Sequence, residues 1–330
     1  MKILVTGATG YLGHQLALTL AERGNSVQVL VRNPLSANIP SHKNIVVFTG
    51  DITNRQSIKT AMRGCEQVYH TAALVKIFAA NAADFYKVNV EGTQHLLAEA
   101  LYARVKKFVF TSSCGVLGTS VLEPKCENDP RTTGFENDYE FTKFIAESLV
   151  KEYIYKGLFT VIVSPSKVYG PGIKTHPVSV NHLIQRFIKG RATFIPSPGK
   201  LLANYCFIDD VVEGHILAMA KGVGGEKYIL GGADISYSDF FKTVRSLSGS
   251  KATLIKAPKF IAKLFALIQW VRFIITRKEP FATLKSVKSI FCNKTFSSNK
   301  AIGQLGYRLT PLEEGLQQTI HFLKTQNNVS

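Results

Sequence analysis

The chain has 330 residues and a mass of 36.4 kDa, with 45% apolar and 19% charged residues, which excludes a disordered or collagenous polymer and leaves ample chain for a buried core. Five cysteines, odd in number, widely spaced and without a C-x-x-C pair, argue against a disulfide framework and against a structural zinc site, so no metal is expected. The net charge of +17 is uneven: residues 251–294 hold ten lysines and arginines against one acid, Glu279, a net +9, and this is a local patch without the stacking aromatics of a nucleic-acid surface, so no nucleic-acid partner is expected.

Met1 to Gly7 run straight into a strand and a glycine turn, with no room for a signal peptide. No apolar stretch reaches the roughly 18 residues of a membrane span. The expectation is a cytoplasmic protein, with peripheral membrane contact left open. Short β-branched apolar runs at 3–5, 27–31, 45–48, 67–70, 108–110 and 160–163 read as buried strands. Helical patterns at 11–23, 55–62, 84–102 and 139–155 lie between them. This alternation predicts an α/β fold, a doubly wound parallel sheet with right-handed crossovers. After Gly170 prolines punctuate a looser pattern, with helices at 178–189, 209–220, 238–248 and 312–324 and a strand at 227–230. Residues 1–170 read as a dinucleotide-binding domain. Residues 171–330 read as mainly a smaller α+β substrate lobe, with the chain returning to the sheet.

Thr6-Gly7-Ala8-Thr9-Gly10-Tyr11-Leu12-Gly13 follows the first strand and opens the first helix. Gly7 permits a tight turn, Gly10 lets a pyrophosphate approach the backbone, and Gly13 lets helix pack on strand. The helix N-terminus offers free N–H groups to phosphates. An acid at the end of the second strand would hold the ribose 2′-OH of NAD, and an arginine the 2′-phosphate of NADP. This chain has Arg32 and no acid nearby, which favours NADP and leaves NAD open. Asp51-Ile52 would sit near the adenine, although Asp51 suits the N-cap of the next helix equally. The fourth strand ends His70-Thr71-Ala72-Ala73, whose small residues leave space for cofactor. His70 itself reads as a core residue.

Tyr139 and Lys143 lie four apart, on one helical face. A lysine ammonium beside a tyrosine lowers the phenol's pKa. Such a tyrosine gives a proton to a carbonyl oxygen as hydride reaches carbon, or takes one in reverse. The fifth strand ends Thr111-Ser112-Ser113. A hydroxyl there points into the ligand crevice, and Ser113 is the candidate donor to the same oxygen, with Thr111 and Ser112 as competitors.

Taken in order, Thr6 to Gly13, His70 to Ala73, Asn89-Val90-Glu91-Gly92-Thr93, Thr111 to Ser113, Tyr139 to Lys143, Pro165 to Gly172, Phe207 to His215 and Leu305 to Gly315 resemble the successive motifs of the extended short-chain dehydrogenase/reductases. The resemblance covers essentially the whole chain and is strongest to the dihydroflavonol reductase-like and 3β-hydroxysteroid dehydrogenase-like branches. It implies a Rossmann fold and a triad of Ser113, Tyr139 and Lys143. Tyr139 would be the acid/base, Lys143 its electrostatic and ribose partner, and Ser113 the substrate-oxygen donor. It implies cofactor contacts from Gly7, Thr9, Gly10, Tyr11, Leu12, Gly13, Thr71, Ala72, Ala73, Thr111, Tyr139 and Lys143, with Pro165 and Val168 flanking the nicotinamide. Asn89 would be structural or cofactor-side. Homodimers would form through the helices at 84–102 and 139–155. Three positions depart from the pattern: Ser164 stands where the family often has Arg, and Leu117-Gly118 stands for the Tyr-Gly, and Arg32 for the acid, usual in sugar-nucleotide epimerases.

Residues 259–277 are apolar around most of the helical circumference, hold the only tryptophan, Trp270, and carry Lys259, Lys263, Arg272 and Arg277 toward their ends. The first expectation is a helix buried in the lobe. A lid over an apolar substrate and an interfacial membrane helix are its rivals. Lys256, Lys278, Lys285 and Lys288 offer a site for an anionic carrier such as a diphosphate. The combined reading is an NADP(H)-dependent oxidoreductase acting on a ketone, aldehyde or alcohol of a hydrophobic small molecule. A nucleotide-sugar epimerase or dehydratase using NAD, and a non-catalytic dinucleotide sensor, stand as alternatives.

Overall fold

A computed structural model describes residues 1–76, 78, 79, 81–173 and 179–327. The chain forms β1 (Lys2–Thr6), α1 (Tyr11–Glu22), β2 (Ser26–Val31), β3 (Ile45–Thr49), α2 (Arg55–Met62), β4 (Gln67–His70), α3 (Ala83–Tyr86), a π-helical segment (Lys87–Glu91), α4 (Gly92–Tyr102), β5 (Lys107–Thr111), a 3₁₀ turn (Cys114–Leu117), α5 (Asp138–Tyr155) and β6 (Thr160–Pro165). It continues through β7 (Lys167–Tyr169), α6 (Val180–Ile188), β8 (Thr193–Pro196), β9 (Leu202–Phe207), α7 (Ile208–Lys221), β10 (Lys227–Leu230), β11 (Ala233–Ser236) and α8 (Tyr237–Ser248). The last elements are β12 (Leu254–Ala257), α9 (Lys259–Thr276), α10 (Leu284–Ile290), α11 (Asn299–Leu305) and α12 (Leu312–Asn327).

Seven strands make one sheet in the order β10-β6-β5-β4-β1-β2-β3, with every pair parallel. Strand alternation splits its side chains between two cores. Ile3, Val5, Val27 and Val29 face α1 and α7, and Leu4, Leu30, Val68 and Phe108 face α2, α4 and α5. The chain winds from β1 outward through β2 and β3, then restarts on the other side with β4 to β6. Their carboxyl ends therefore part between β1 and β4, where open sheets of this kind bind ligands.

The later residues return to this body. β10 joins the sheet edge beside β6, while β7, β9 and β11 form a three-stranded sheet and β8 pairs with β12. Ile184, Phe187 and Phe240 belong to the same core as Ile3 and Val5, and the Tyr205 and Phe240 rings stack with centroids 4.2 Å apart.

The structure differs from the pattern reading in two places. The helix expected over 84–102 contains a π-helical segment, which turns Asn89 and Val90 inward. Its wider turn lets the Asn89 amide accept from Leu74 N at 2.7 Å and donate to Thr142 Oγ1 at 3.0 Å, so Asn89 ties the loop after β4 to α5. The start expected for the helix at 178–189 lies outside the described residues, and α6 is described from Val180. The expectation that 259–277 is a buried helix is wrong. Within α9 only Ala266 and Gln269 are buried, because the lobe offers it a narrow contact stripe rather than a pocket.

Candidate active site

A cavity of about 580 Å³ lies across the carboxyl ends of β1 to β6. It brings together nearly every residue predicted for the cofactor: Gly7, Thr9, Gly10, Tyr11, Leu12 and Gly13 from the first turn, Arg32 after β2, Asp51 and Ile52 after β3, Thr71, Ala72 and Ala73 after β4, Thr111 and Ser113 after β5, Tyr139 on α5, and Pro165 and Val168 after β6. Lys143 is not among the lining residues. It is buried behind them.

Gly7 stands at φ +77°, and a Cβ there would lie 2.6 Å from Ala72 N. A Cβ on Gly13 would lie 2.4 Å from Gly7 O. Only glycine leaves this cradle open. Gly10 caps α1 without a side-chain hydrogen bond, and the first turn holds no acid. The leading N–H groups and the positive end of the helix are thus left for an anion. Beneath the turn, Thr71 Oγ1 donates to Thr6 O at 2.7 Å, while His70 bridges Thr6 and Thr93 at 2.8 and 2.9 Å. Burial, with the Lys143 charge adding to it, holds His70 well below the usual imidazole range, so it is a neutral core residue. Tyr11 lines the cavity, but its hydroxyl is spent on Gly170 O at 2.7 Å.

Arg32 is exposed and borders the cavity beside Leu30 and Val31. Asp51 does not cap α2. Its carboxylate accepts from Thr53 N at 2.8 Å, and Asn54 is the cap, accepting from Gln56 N and Ser57 N.

The three hydroxyls after β5 are sorted by their partners. Thr111 Oγ1 bonds His215 Nε2 at 2.9 Å. Ser112 is buried and donates to Glu147 Oε1. Ser113 Oγ accepts from Gly115 N at 3.1 Å and lines the cavity beside Tyr139. Facing it, Tyr139 sits in the first turn of α5, which Asn137 caps by accepting from Glu140 N at 2.7 Å.

Burial pushes the Tyr139 phenol up to about 12, and hydrogen bonding with Ser113 offsets only part of this. The lysine does not do what the helical spacing suggested. Lys143 is 1% exposed, its Nζ lies 4.0 Å from the Phe110 ring centroid, and burial pulls it down to about 7, with Glu147 opposing. The low-dielectric wall dominates both groups. Tyr139 is a protonated donor at neutral pH, and Lys143 is close to losing its charge.

Sequence reasoning missed the residues that hold this pair in place. Arg131 donates to the carbonyls of Gly115 and Val116 at 2.5 and 3.1 Å and to Glu140 Oε2 at 2.9 Å, so it joins the Ser113 turn to the Tyr139 helix. Lys294 donates to Glu136 at 2.5 Å and to Glu140 at 3.2 Å, bringing the C-terminal part of the chain to the same point. Glu147 takes Ser112 and, at 2.8 Å, Lys227. Of these, Glu147 alone had a visible signal, its i+4 spacing from Lys143.

A second cavity, of about 430 Å³, lies between α9 and the start of α5. It is lined mainly by apolar side chains, including Phe78, Ala266, Leu267 and Trp270, with Asn137 and Asp138 beside them. Of the four lysines expected to gather around an anionic carrier, Lys285 alone lines it, and that ammonium lies 3.5 Å from Asp138.

Residues 3–231 match the model of the NAD dependent epimerase/dehydratase family. The chain is 29% identical over 321 residues to the 3-beta-hydroxysteroid dehydrogenase of Mycolicibacterium neoaurum, covering 93% of this chain and 86% of that one. It is 31% identical over 313 residues to the 4-hydroxy-2-methyl-3-oxo-4-farnesyl-3,4-dihydroquinoline-1-oxide ketoreductase of Stigmatella aurantiaca, covering 93% and 92%. The crystal structure of gox2253 superimposes with a TM-score of 0.82 at 31% identity over 98% of each chain. The chain belongs to the NAD dependent epimerase/dehydratase family and is an NAD(P)-dependent oxidoreductase of the extended short-chain dehydrogenase/reductase type.

Proposed function

We propose that this family member is an NADP(H)-dependent enzyme that reduces a ketone or aldehyde of a hydrophobic small molecule, or oxidises the corresponding alcohol, with Ser113, Tyr139 and Lys143 at the reacting carbonyl. The observation that carries the reading is the convergence of Ser113 and Tyr139 in one cavity with the uncapped α1 N-terminus and Arg32. The cradle around Gly7 and Gly13 suits a dinucleotide pyrophosphate, Arg32 suits a 2′-phosphate, and Pro165 and Val168 would flank the nicotinamide.

When bound, the nicotinamide supplies or accepts the hydride at the carbonyl carbon. The chain's own residues handle the oxygen. Tyr139, protonated at neutral pH, donates its proton to the carbonyl oxygen in reduction and takes it back in oxidation. Ser113 donates a hydrogen bond to the same oxygen and steadies the charge that develops there. Lys143, buried behind the cavity wall, would contribute positive charge behind the tyrosine while it keeps its proton. The apolar second cavity and the two relatives, one a steroid dehydrogenase and one a farnesylated quinoline ketoreductase, favour a hydrophobic substrate. Residues 1–170 would hold the cofactor, and residues 171–330 would mainly shape the substrate end. Phe141 and Phe144, half exposed on α5 and packed on Phe135, favour a homodimer through this helix. Five free cysteines favour a reducing, cytoplasmic setting.

The test is a titration of the purified chain with NADPH and with NADH, after assay for co-purified dinucleotide. Tighter NADPH binding to protein that purifies free of dinucleotide is the expected result. Tightly held NAD that does not exchange would overturn it and redirect attention to nucleotide-sugar epimerisation.

A further inference from the structure

We propose that the outward face of α9 is a membrane-docking surface, and that the partner it fits is a bilayer bearing anionic headgroups. The helix is inverted relative to an ordinary surface helix. Ala262, Ala266, Gln269 and Phe273, spaced four, three and four apart, form the inward stripe, yet only Ala266 and Gln269 are buried. The opposite stripe, Phe260, Leu264, Leu267, Val271 and Ile275, is spaced four, three, four and four apart and is entirely apolar. Phe260 is 70% exposed, Leu264 57%, Val271 50% and Ile275 76%. A water-facing helix carries its polar residues on this side. A continuous apolar face of this length on a folded domain marks a contact surface.

Charge identifies the contact. Lys263 and Arg272 emerge on the two shoulders between the faces, and Lys259, Arg277 and Lys278 stand at the ends. Among the described residues none of these five carries an ion pair. The one acid of the region, Glu279, is taken by Lys76 at 2.7 Å. The stripe's spacing would also suit a second copy of the chain, but pairing two such helices would bring these cations together with no acid to answer them. A bilayer supplies hydrocarbon for the stripe and negative potential for its flanks. No helix among the described residues is long and apolar enough to cross a membrane, so the contact is interfacial.

Docking has a consequence for the second cavity. Ala266, Leu267 and Trp270 of α9 line it on one side, and Asn137 and Asp138, the residues before Tyr139, on another. A lipid-dissolved ketone or alcohol would reach Tyr139 from the bilayer side of the molecule. This delivery role rests on the oxidoreductase reading, whereas the docking does not.

The experiment is flotation of the full chain with phosphatidylcholine vesicles, with and without phosphatidylglycerol, read alongside the emission of the lone Trp270. The expected result is flotation and a blue shift with the anionic vesicles, both reduced by salt. The triple variant Leu264→Ser/Val271→Ser/Ile275→Ser, placed on exposed positions outside both cavities, should lose roughly tenfold or more in vesicle partitioning. It should keep its NADPH oxidation with a small water-soluble aldehyde. Equal flotation of variant and parent, or no flotation of the parent with anionic vesicles, would overturn the proposal. So would an α9-dependent dimer that forms without lipid. Loss of NADPH oxidation in the parent, with vesicle binding intact, would instead overturn the oxidoreductase reading and leave the docking standing.

Discussion

Glu147 lies one helical turn beyond Lys143 on α5, and its carboxylate is the charge that opposes the loss of the buried ammonium. The same carboxylate accepts from Ser112 and Lys227. Lys143, held at about 7, loses its proton as pH rises through neutrality. If carbonyl reduction needs the charged form, kcat/KM for reduction will be level at lower pH and fall above about pH 7. In Glu147→Gln the support is gone and burial remains, so the falling limb should move to lower pH. A pH–rate profile of the two proteins checks this. An unmoved limb would show that Glu147 has no hold on the titrating group.

Tyr139 is the proton donor in this account, and burial keeps it protonated across the neutral range. Tyr139→Phe should lower kcat by about 10²- to 10⁴-fold with NADPH affinity nearly unchanged. Ser113→Ala removes one donor to the developing oxyanion and should cost about 10²-fold or more in kcat. Steady-state kinetics with parallel cofactor titrations separate these losses from a binding defect.

Among the described residues Arg32 is the one cation lining the cavity, and it is the residue proposed for a 2′-phosphate. Arg32→Ala removes a charge-assisted hydrogen bond of about 1.5 to 3 kcal/mol, so the NADPH Kd should rise about tenfold or more while the NADH Kd changes little. Equal effects on the two cofactors would place the 2′-phosphate elsewhere.

The Lys294 ammonium joins Glu136 and Glu140 where all three side chains are largely buried, at 12%, 3% and 5% exposure. Burial alone would lower the Lys294 pKa, but Glu140 and Glu136 more than offset it and leave it raised. Lys294→Ala strands the Glu136 carboxylate in the interior, while Glu140 keeps Arg131 at 2.9 Å, and should cost about 3 to 5 kcal/mol of stability, measured by denaturant unfolding. Because Glu140 follows Tyr139 directly, kcat should fall as well.

Much of this was legible in the sequence, for identifiable reasons. The strands of the large sheet are short, apolar runs with helices between them, and a pattern of period two against period 3.6 locates both. The glycine turn was legible because backbone geometry demands glycine at Gly7 and Gly13, whereas Ser113, Tyr139 and Arg32 were singled out by their chemistry at strand and helix ends and by the family resemblance. The short strands β7, β8 and β12 were not, since Pro165, Pro196 and Pro258 lie beside or within them and break the strand pattern. The Arg131, Glu140 and Lys294 network was invisible because its members are far apart in the chain and meet only on folding. Charge proximity misled for Lys143. Spacing placed it on Tyr139's face of the helix, but burial, opposed by Glu147, sets its ionisation. Apolarity misled for α9 in the same way. A helix apolar nearly all round signals burial only where the lobe has a pocket to receive it, and here only a narrow stripe finds one.

On the proposed function Tyr139 and Ser113 serve a carbonyl reduced with NADPH. NADPH oxidation by the purified chain against a panel of hydrophobic ketones and aldehydes, with Tyr139→Phe run in parallel, tests it most directly. The expected result is turnover of at least one member of the panel, with NADPH preferred to NADH, and its loss in Tyr139→Phe. Turnover that survives in Tyr139→Phe, or a panel inert with either cofactor beside interconversion of a nucleotide sugar on bound NAD, would contradict it.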